Sequence, residues 1–99
     1  MKGSEIPQDQ IEKWKEQYDA VFRLRSKETG YVGYCRNATR QEMSFLSTVK
    51  DPVKFNEQLL KTCWLDGDVE IQEKDSIFMG LADQIAKLMY SEEVEMEKL

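Results

Sequence analysis

The residues best suited to chemistry in this sequence are five carboxylates that follow one another closely in its second half: Asp66, Asp68, Glu70, Glu73 and Asp75. Carboxylate oxygens are the hard ligands that Ca²⁺ and Mg²⁺ prefer. In the EF-hand register that begins at Asp66, Ile71 stands at the turn glycine and Ile77 stands at the final bidentate glutamate. The spacing therefore predicts a solvated acidic connection and no metal site.

Other catalytic chemistry has little support. The chain has no histidine, which excludes His-based triads and HExxH zinc sites, and no glycines at phosphate-loop spacing. Cys35 and Cys63 have no CxxC spacing, so we expect two reduced, buried thiols, with a redox or disulfide role as the alternative. No pair of acids has an apolar setting that would raise one pKa. We expect no catalytic residue, no cofactor and no enzyme activity.

The charge distribution indicates which kinds of partner are disfavoured. Residues 1–50 have a balance of +2 and residues 51–99 a balance of −7, for a net charge of −5. Nucleic-acid binding needs a positive footprint, so this balance disfavours it. No run of 18 apolar residues is present to span a membrane, and the first ten residues lack the apolar core of a signal peptide. We expect a cytoplasmic protein.

The length of 99 residues predicts one domain, residues 1–99, with residues 1–5 and 91–99 as frayed ends. A domain of this size buries only about 60–65% of its unfolded surface, so a homo-oligomer would be unsurprising.

The residue pattern of the first half of the chain predicts a helix followed by a β-hairpin. Pro7 opens a helix with Ile11, Trp14 and Tyr18 on one face, ending near residue 18 or 19. Residues 20–26 then alternate, and residues 31–35 are rich in strand formers after a turn at residues 28–30. An isolated hairpin is marginal, so one face must pack on helices or on another chain.

The second half reads as three helices. Thr39 and Glu42 match a capping box, before a helix that buries Met43, Leu46 and Val49. Asp51 and Pro52 start the next helix, with its apolar stripe at Phe55, Leu59, Leu60 and Cys63, and it runs to about Trp64. The segment from Asp66 to Asp68 is a helix-ending turn in which Gly67 takes a positive φ.

The last helix shows the cleanest amphipathic pattern. Asp75 is its expected N-cap, and its apolar face has Ile77, Phe78, Leu81, Ile85, Leu88 and Met89. Residues 91–99 either extend this helix or fray. The predicted fold is α+β and mainly helical, with an N-terminal helix, a β-hairpin and three packed helices.

With these features in order, residues 11–89 resemble the small tail-assembly chaperones of siphophages and related prophages. The most specific portion is Cys63-Trp-Leu-Asp-Gly-Asp-Val-Glu-Ile71, which follows Asp51-Pro-Val-Lys-Phe-Asn-Glu-Gln-Leu-Leu60. Such sequences often close the hairpin with an Arg-Lys-Pro segment. Here it reads Arg36-Asn37-Ala38, so Arg36 matches and the next two positions do not.

The resemblance implies a non-enzymatic helper that coats the long helical tape-measure protein during tail assembly in the bacterial cell. Its partner would be that protein or another tail protein. The contacts implied on this chain are Trp64, Leu65, Leu81, Ile85, Leu88 and Met89, which sequence alone does not separate from core positions. A small interaction or regulatory module that binds one defined protein partner is the alternative.

Overall fold

The computed structural model describes residues 5–99, and within that range it shows a mainly helical α+β fold with one three-stranded antiparallel sheet. The predicted fold class is confirmed. In chain order the elements are α1 (Gln8–Gln17), β1 (Val21–Arg25), β2 (Val32–Arg36), α2 (Arg40–Leu46), α3 (Pro52–Cys63), β3 (Trp64–Gly67), α4 (Glu70–Glu73), α5 (Asp75–Gly80), α6 (Ala82–Ile85) and a 3₁₀ helix (Ala86–Leu88). Of the predicted frayed ends, residues 1–4 lie outside the described residues. Residues 91–99 have no regular secondary structure and do not extend the last helix.

The predicted hairpin is confirmed. β1 and β2 are antiparallel, with Phe22 opposite Cys35 and Leu24 opposite Gly33. The turn closes through Gly30, whose φ of 79° is in the left-handed region that suits glycine. Successive side chains on a strand point to opposite faces, so each strand supplies both sides of the sheet.

The sheet separates two clusters of apolar side chains. On one face α1 contributes Ile11 and Trp14, which pack with Val32 and Tyr34 of β2. The larger cluster lies on the other face, beneath the remaining helices, and contains Leu24, Cys35, Ala38, Leu46, Leu59, Leu60, Cys63, Ile71, Leu81, Ile85 and Leu88. The middle strand, β2, is therefore covered on both faces.

The two predicted helix starts are confirmed. Thr39 and Glu42 form a reciprocal capping box at α2, and the Asp51 side chain accepts hydrogen bonds from Val53 N and Lys54 N at the start of α3. Leu46 is buried as predicted. Val49 lies beyond the end of α2 and is only half-buried, so its place in that helix was wrong.

The prediction of a helix-ending turn at residues 66–68 was wrong. α3 ends at Cys63, and Trp64 starts the third strand directly, pairing with Cys35 while Gly67 pairs with Gly33. The pairing shifts register between Tyr34 and Cys35, where β3 has one extra residue, Leu65. Gly67 does take a positive φ, of 132°, but at the end of a strand.

The prediction of a single last helix was also wrong. The chain breaks it into α5, α6 and the 3₁₀ helix, with Leu81 between α5 and α6 at φ −85° and ψ −7°. Asp75 is the first residue of α5, and Lys74 is its N-cap. Ile77, Leu81 and Ile85 keep the helical spacing that turns them to the core, because Leu81 N donates to Ile77 O and Ile85 N donates to Leu81 O. Within the described range, none of these helices has the length and apolarity that crossing a membrane requires.

Candidate functional site

An open groove with an apolar lining lies between α3 and α5. Its volume is roughly 660 Å³, and its apolar lining comes from Val53 of α3, Val69 before α4, and Phe78 and Met79 of α5. Three of these side chains are conspicuously exposed, with Val53 at 50%, Val69 at 49% and Met79 at 61%. Scattered exposed apolar residues are ordinary, but three that share one concave surface make that surface the candidate binding site of this fold. We call this surface the α3–α5 groove.

Local capping and core packing orient the groove's side chains. The Asp51 cap and Pro52 fix the start of α3, and Leu59, Leu60 and Cys63 pack one side of that helix into the core. Val53 precedes Leu60 by about two helical turns, so it lies at the edge of this buried stripe, in the first turn of α3, where half of its surface is exposed. In the same way, fully buried Ile71 anchors α4 and leaves Val69, at its start, on the surface.

The rim of the groove is acidic. Its charged residues are Glu57, Lys61, Glu73 and Asp75. Lys61 Nζ lies 3.4 Å from Glu57 Oε1, so these two charges offset each other across one turn of α3. Among the described residues no ion pair includes Glu73 or Asp75. The groove therefore offers an apolar floor with excess negative charge at its edge.

Three of the six predicted contact residues lie in the core. Ile85 and Leu88 are each 1% exposed and Leu81 is 9% exposed, all in the large cluster beneath the sheet. Met89 is 41% exposed but does not line the groove.

Trp64 and Leu65 are half-buried, and β3 directs them to opposite faces of the sheet. Leu65 packs against the cluster around Trp14, and Trp64 packs against the larger cluster. The Trp64 ring lies so close over Gly33 that a Cβ at that position would overlap it. Both side chains contribute to packing, and neither lines the α3–α5 groove.

The segment that departs from the Arg-Lys-Pro pattern has structural contacts. Arg36 donates to both carboxylate oxygens of Glu42 and to the carbonyl oxygen of Thr62 at 2.9 Å. Asn37 accepts a hydrogen bond from Ala20 N at 3.1 Å, and Ala38 N donates to Leu88 O at 2.8 Å. The segment closes the hairpin and joins it to the last helical turn.

The two cysteines are buried, as predicted. Cys35 and Cys63 both have no exposed surface. Burial, with the neighbouring Cys63 thiol as a second cause, raises the pKa of Cys35 to about 12. Burial also raises the pKa of Cys63 to about 11, against the opposing effect of Arg36. Both thiols are protonated at neutral pH, which suits packing and not nucleophilic attack.

The acidic run is more structured than the predicted solvated connection. The Asp68 carboxylate accepts a hydrogen bond from Val32 N at 2.8 Å, and its own N–H donates to Val32 O. Asp66 accepts from Gly67 N at 2.7 Å. Over residues 5–99, no group of His, Cys, Asp or Glu side chains is arranged to hold a metal ion.

Comparison of the chain with models of known protein families, with curated proteins and with solved structures finds no match.

Val53, Val69 and Met79 were not predicted from the sequence as candidate contacts. Met79 lies off the core-facing stripe of α5, Val53 lies at the edge of the stripe of α3, and Val69 interrupts the acidic run. An apolar residue on the solvent side of an otherwise amphipathic element is the signal that could have identified them.

Proposed function

We propose that this chain is a non-enzymatic binding domain that holds an amphipathic helix in the α3–α5 groove, and that it acts as a phage tail-assembly chaperone for the tape-measure protein. The observation that carries the proposal is the exposure of Val53, Val69 and Met79 on one concave surface. An amphipathic helix can lay its apolar face in such a groove through side chains spaced by three and four residues.

The rim specifies the kind of helix that fits. Glu73 and Asp75 add negative charge at the α5 side, while Glu57 and Lys61 offset each other on α3. Complementary charges steer association and select among partners more than they add affinity. The preferred partner is a helix whose apolar stripe is flanked by lysine or arginine.

The assignment to tail assembly is supported by the resemblance around residues 63–71 and by simple physics. A long amphipathic helix alone in water aggregates through its apolar stripe, and a small domain that covers the stripe prevents this. The net charge of −5 keeps a helix coated with many copies dispersed through mutual repulsion. In this role the protein acts in the cytoplasm of the bacterial host cell, until tail-tube subunits displace it.

The test is co-expression of the full chain with its proposed partner, a phage tape-measure protein, followed by purification of the complex and light scattering. The proposal predicts an elongated helical protein that carries many copies of this chain. A one-to-one complex with a globular protein would favour a dedicated interaction module, and a tape-measure protein that stays soluble without this chain would overturn the chaperone role.

A further inference from the structure

The outer edge of the sheet at β1 is an unpaired strand. The sheet order is β1-β2-β3, so β1 pairs only with β2. Asn37 N donates to Ala20 O and Ser26 N donates to Tyr31 O, which makes the even-numbered residues of β1 the ones that bond to β2. The backbone groups of Val21, Arg23 and Arg25 therefore point away from the sheet. Such an edge is a template for another strand.

The two faces beside this edge differ in chemistry. On the α1 side lie the exposed, basic side chains of Arg23 and Arg25, and Lys27 follows them. Arg23 Nε donates to Tyr34 OH at 3.0 Å and its guanidinium lies over the Tyr34 ring. In the described part of the chain, none of these three basic residues takes part in an ion pair. On the other side β1 borders a groove of roughly 680 Å³, where the apolar lining is Leu24, Ile71, Ile77 and Leu81. Parts of Arg23, Arg25 and Lys27 also border this groove, and Ile77 is the most exposed of its apolar residues. A strand that fits here needs acids on one face and apolar residues on the other.

The end of the chain has this alternation. Glu93, Glu95 and Glu97 fall on one face of an extended segment, and Val94 and Met96 fall on the other. Val94 is 85% exposed and Met96 is 98% exposed, so neither packs on the body of the molecule. The radius of gyration is 14.8 Å, against about 13 Å for a domain of 100 residues, and the longest extent is 53 Å. Residues 91–99 are all exposed, so they are accessible to a second copy of the chain.

We propose that residues 92–98 of a second copy of this chain add to β1 as a fourth strand. Val94 and Met96 then lie on the Leu24 face of the sheet, over the groove that Ile77 borders, while Glu93 and Glu95 pair with Arg23 and Arg25 on the opposite face. Main-chain hydrogen bonds to the outward groups of β1 provide affinity, and the alternating side chains provide specificity. Reciprocal exchange of the two segments produces a dimer with two-fold symmetry. This inference does not depend on the helix-binding role, because the β1 edge and the α3–α5 groove are lined by different residues.

Two charge-reversed variants of the full chain test it. One has Arg23→Glu and Arg25→Glu, and the other has Glu93→Lys and Glu95→Lys. Because opposite charges across strands attract and like charges repel, each variant alone should dimerise about tenfold more weakly or worse than the wild type in sedimentation equilibrium. An equimolar mixture should recover the dimer, since each altered edge then meets a complementary segment of the other chain. Recovery of the dimer on mixing would show that the segment of one copy pairs with the β1 edge of the other.

The control Lys50→Glu with Lys54→Glu makes the same change in net charge as Arg23→Glu with Arg25→Glu, at exposed positions outside β1, and should leave the dimer intact. A wild-type chain that stays monomeric at high concentration would overturn the proposal. So would variants that dimerise like the wild type, or a mixture that stays monomeric. Slow amide exchange at Arg23 and Arg25 in a monomer, lost on deletion of residues 92–99, would assign the edge to the chain's own terminus and also overturn it.

Discussion

Arg36 and Glu42 face each other across two parallel hydrogen bonds, of 2.7 Å to Glu42 Oε1 and 2.8 Å to Oε2. The same carboxylate accepts from Thr39 N at 2.9 Å as half of the α2 capping box. Arg36 also donates to Thr62 O near the end of α3 and lies over the Tyr18 ring. This pair joins the central strand, β2, to the end of α1, the start of α2 and the end of α3. We therefore expect it to stabilise the whole domain.

Replacement of Glu42 should test that link. Glu42→Gln keeps the side-chain volume but removes the negative charge that faces the half-buried Arg36 guanidinium. We therefore expect the free energy of unfolding to fall by about 1–2 kcal/mol in urea titrations. The control is Glu57→Gln, which removes an exposed pair with Lys61 and should cost no more than about 0.5 kcal/mol. Equal losses of unfolding free energy in the two variants would show that Arg36 and Glu42 contribute no more than an ordinary surface ion pair.

The same pair predicts an acid-dependent loss of stability. The hydrogen bonds from Arg36 are the main cause that lowers the pKa of Glu42 to about 2 from the ordinary 4.5. Since the folded state holds the carboxylate ionised, its contribution to stability is complete above about pH 4.5 and is lost as the pH falls towards 2. The difference in unfolding free energy between wild type and Glu42→Gln should shrink over that interval. A difference that is constant with pH would contradict this origin.

Gly67 should resist substitution because both its conformation and its surroundings require glycine. Its φ is 132°, and a Cβ there would lie 2.6 Å from Val32 O and 2.7 Å from Gly33 Cα. Gly67→Ala should destabilise the domain by about 1–3 kcal/mol and disturb the pairing of β2 with β3. Gly80→Ala is the control: a Cβ there meets nothing within 4 Å, so it should be neutral or stabilising by about 0.5–1 kcal/mol. Thermal melts of the two variants should therefore move in opposite directions or differ clearly in size.

The cysteines should be unreactive in the folded protein. Burial raises the pKa of Cys35 to about 12 and that of Cys63 to about 11, so almost no thiolate is present at neutral pH. A thiol reagent such as DTNB should label both residues in urea and neither in native buffer on the same time scale. Rapid native labelling would show that the two thiols have access to solvent.

The parts of the fold that sequence predicted well are those set by local interactions. Thr39 and Glu42 are three residues apart, and Asp51 caps the helix that begins at the next residue, so short-range rules suffice. The β3 strand depends on pairing with Tyr34 and Cys35 about thirty residues earlier in the chain, and its four residues are too few to show a strand pattern of their own. For that reason its first residue was predicted as the end of a helix and its last two as part of a turn.

The candidate site was harder to predict than the fold. Periodicity correctly placed Leu81, Ile85 and Leu88 on one apolar side, but a periodic stripe marks the core of a small domain before it marks a partner surface. The α3–α5 groove combines Val53 with Met79, which come to one surface only after α4 packs on α3 and α5 packs on α4. Nothing in the spacing of these residues predicts that juxtaposition.

The most direct test of the proposed function is the affinity of groove variants for an amphipathic helical segment of the tape-measure protein, measured by fluorescence anisotropy. Met79→Asp places a carboxylate on the apolar floor, where burial under a bound helix is costly. Phe45→Asp makes the same kind of change on α2 at a side chain that is 75% exposed and outside the groove. We predict that Met79→Asp weakens binding about tenfold or more while Phe45→Asp changes it by less than about twofold. Equal losses in both variants, or unchanged affinity in Met79→Asp, would contradict binding in the α3–α5 groove.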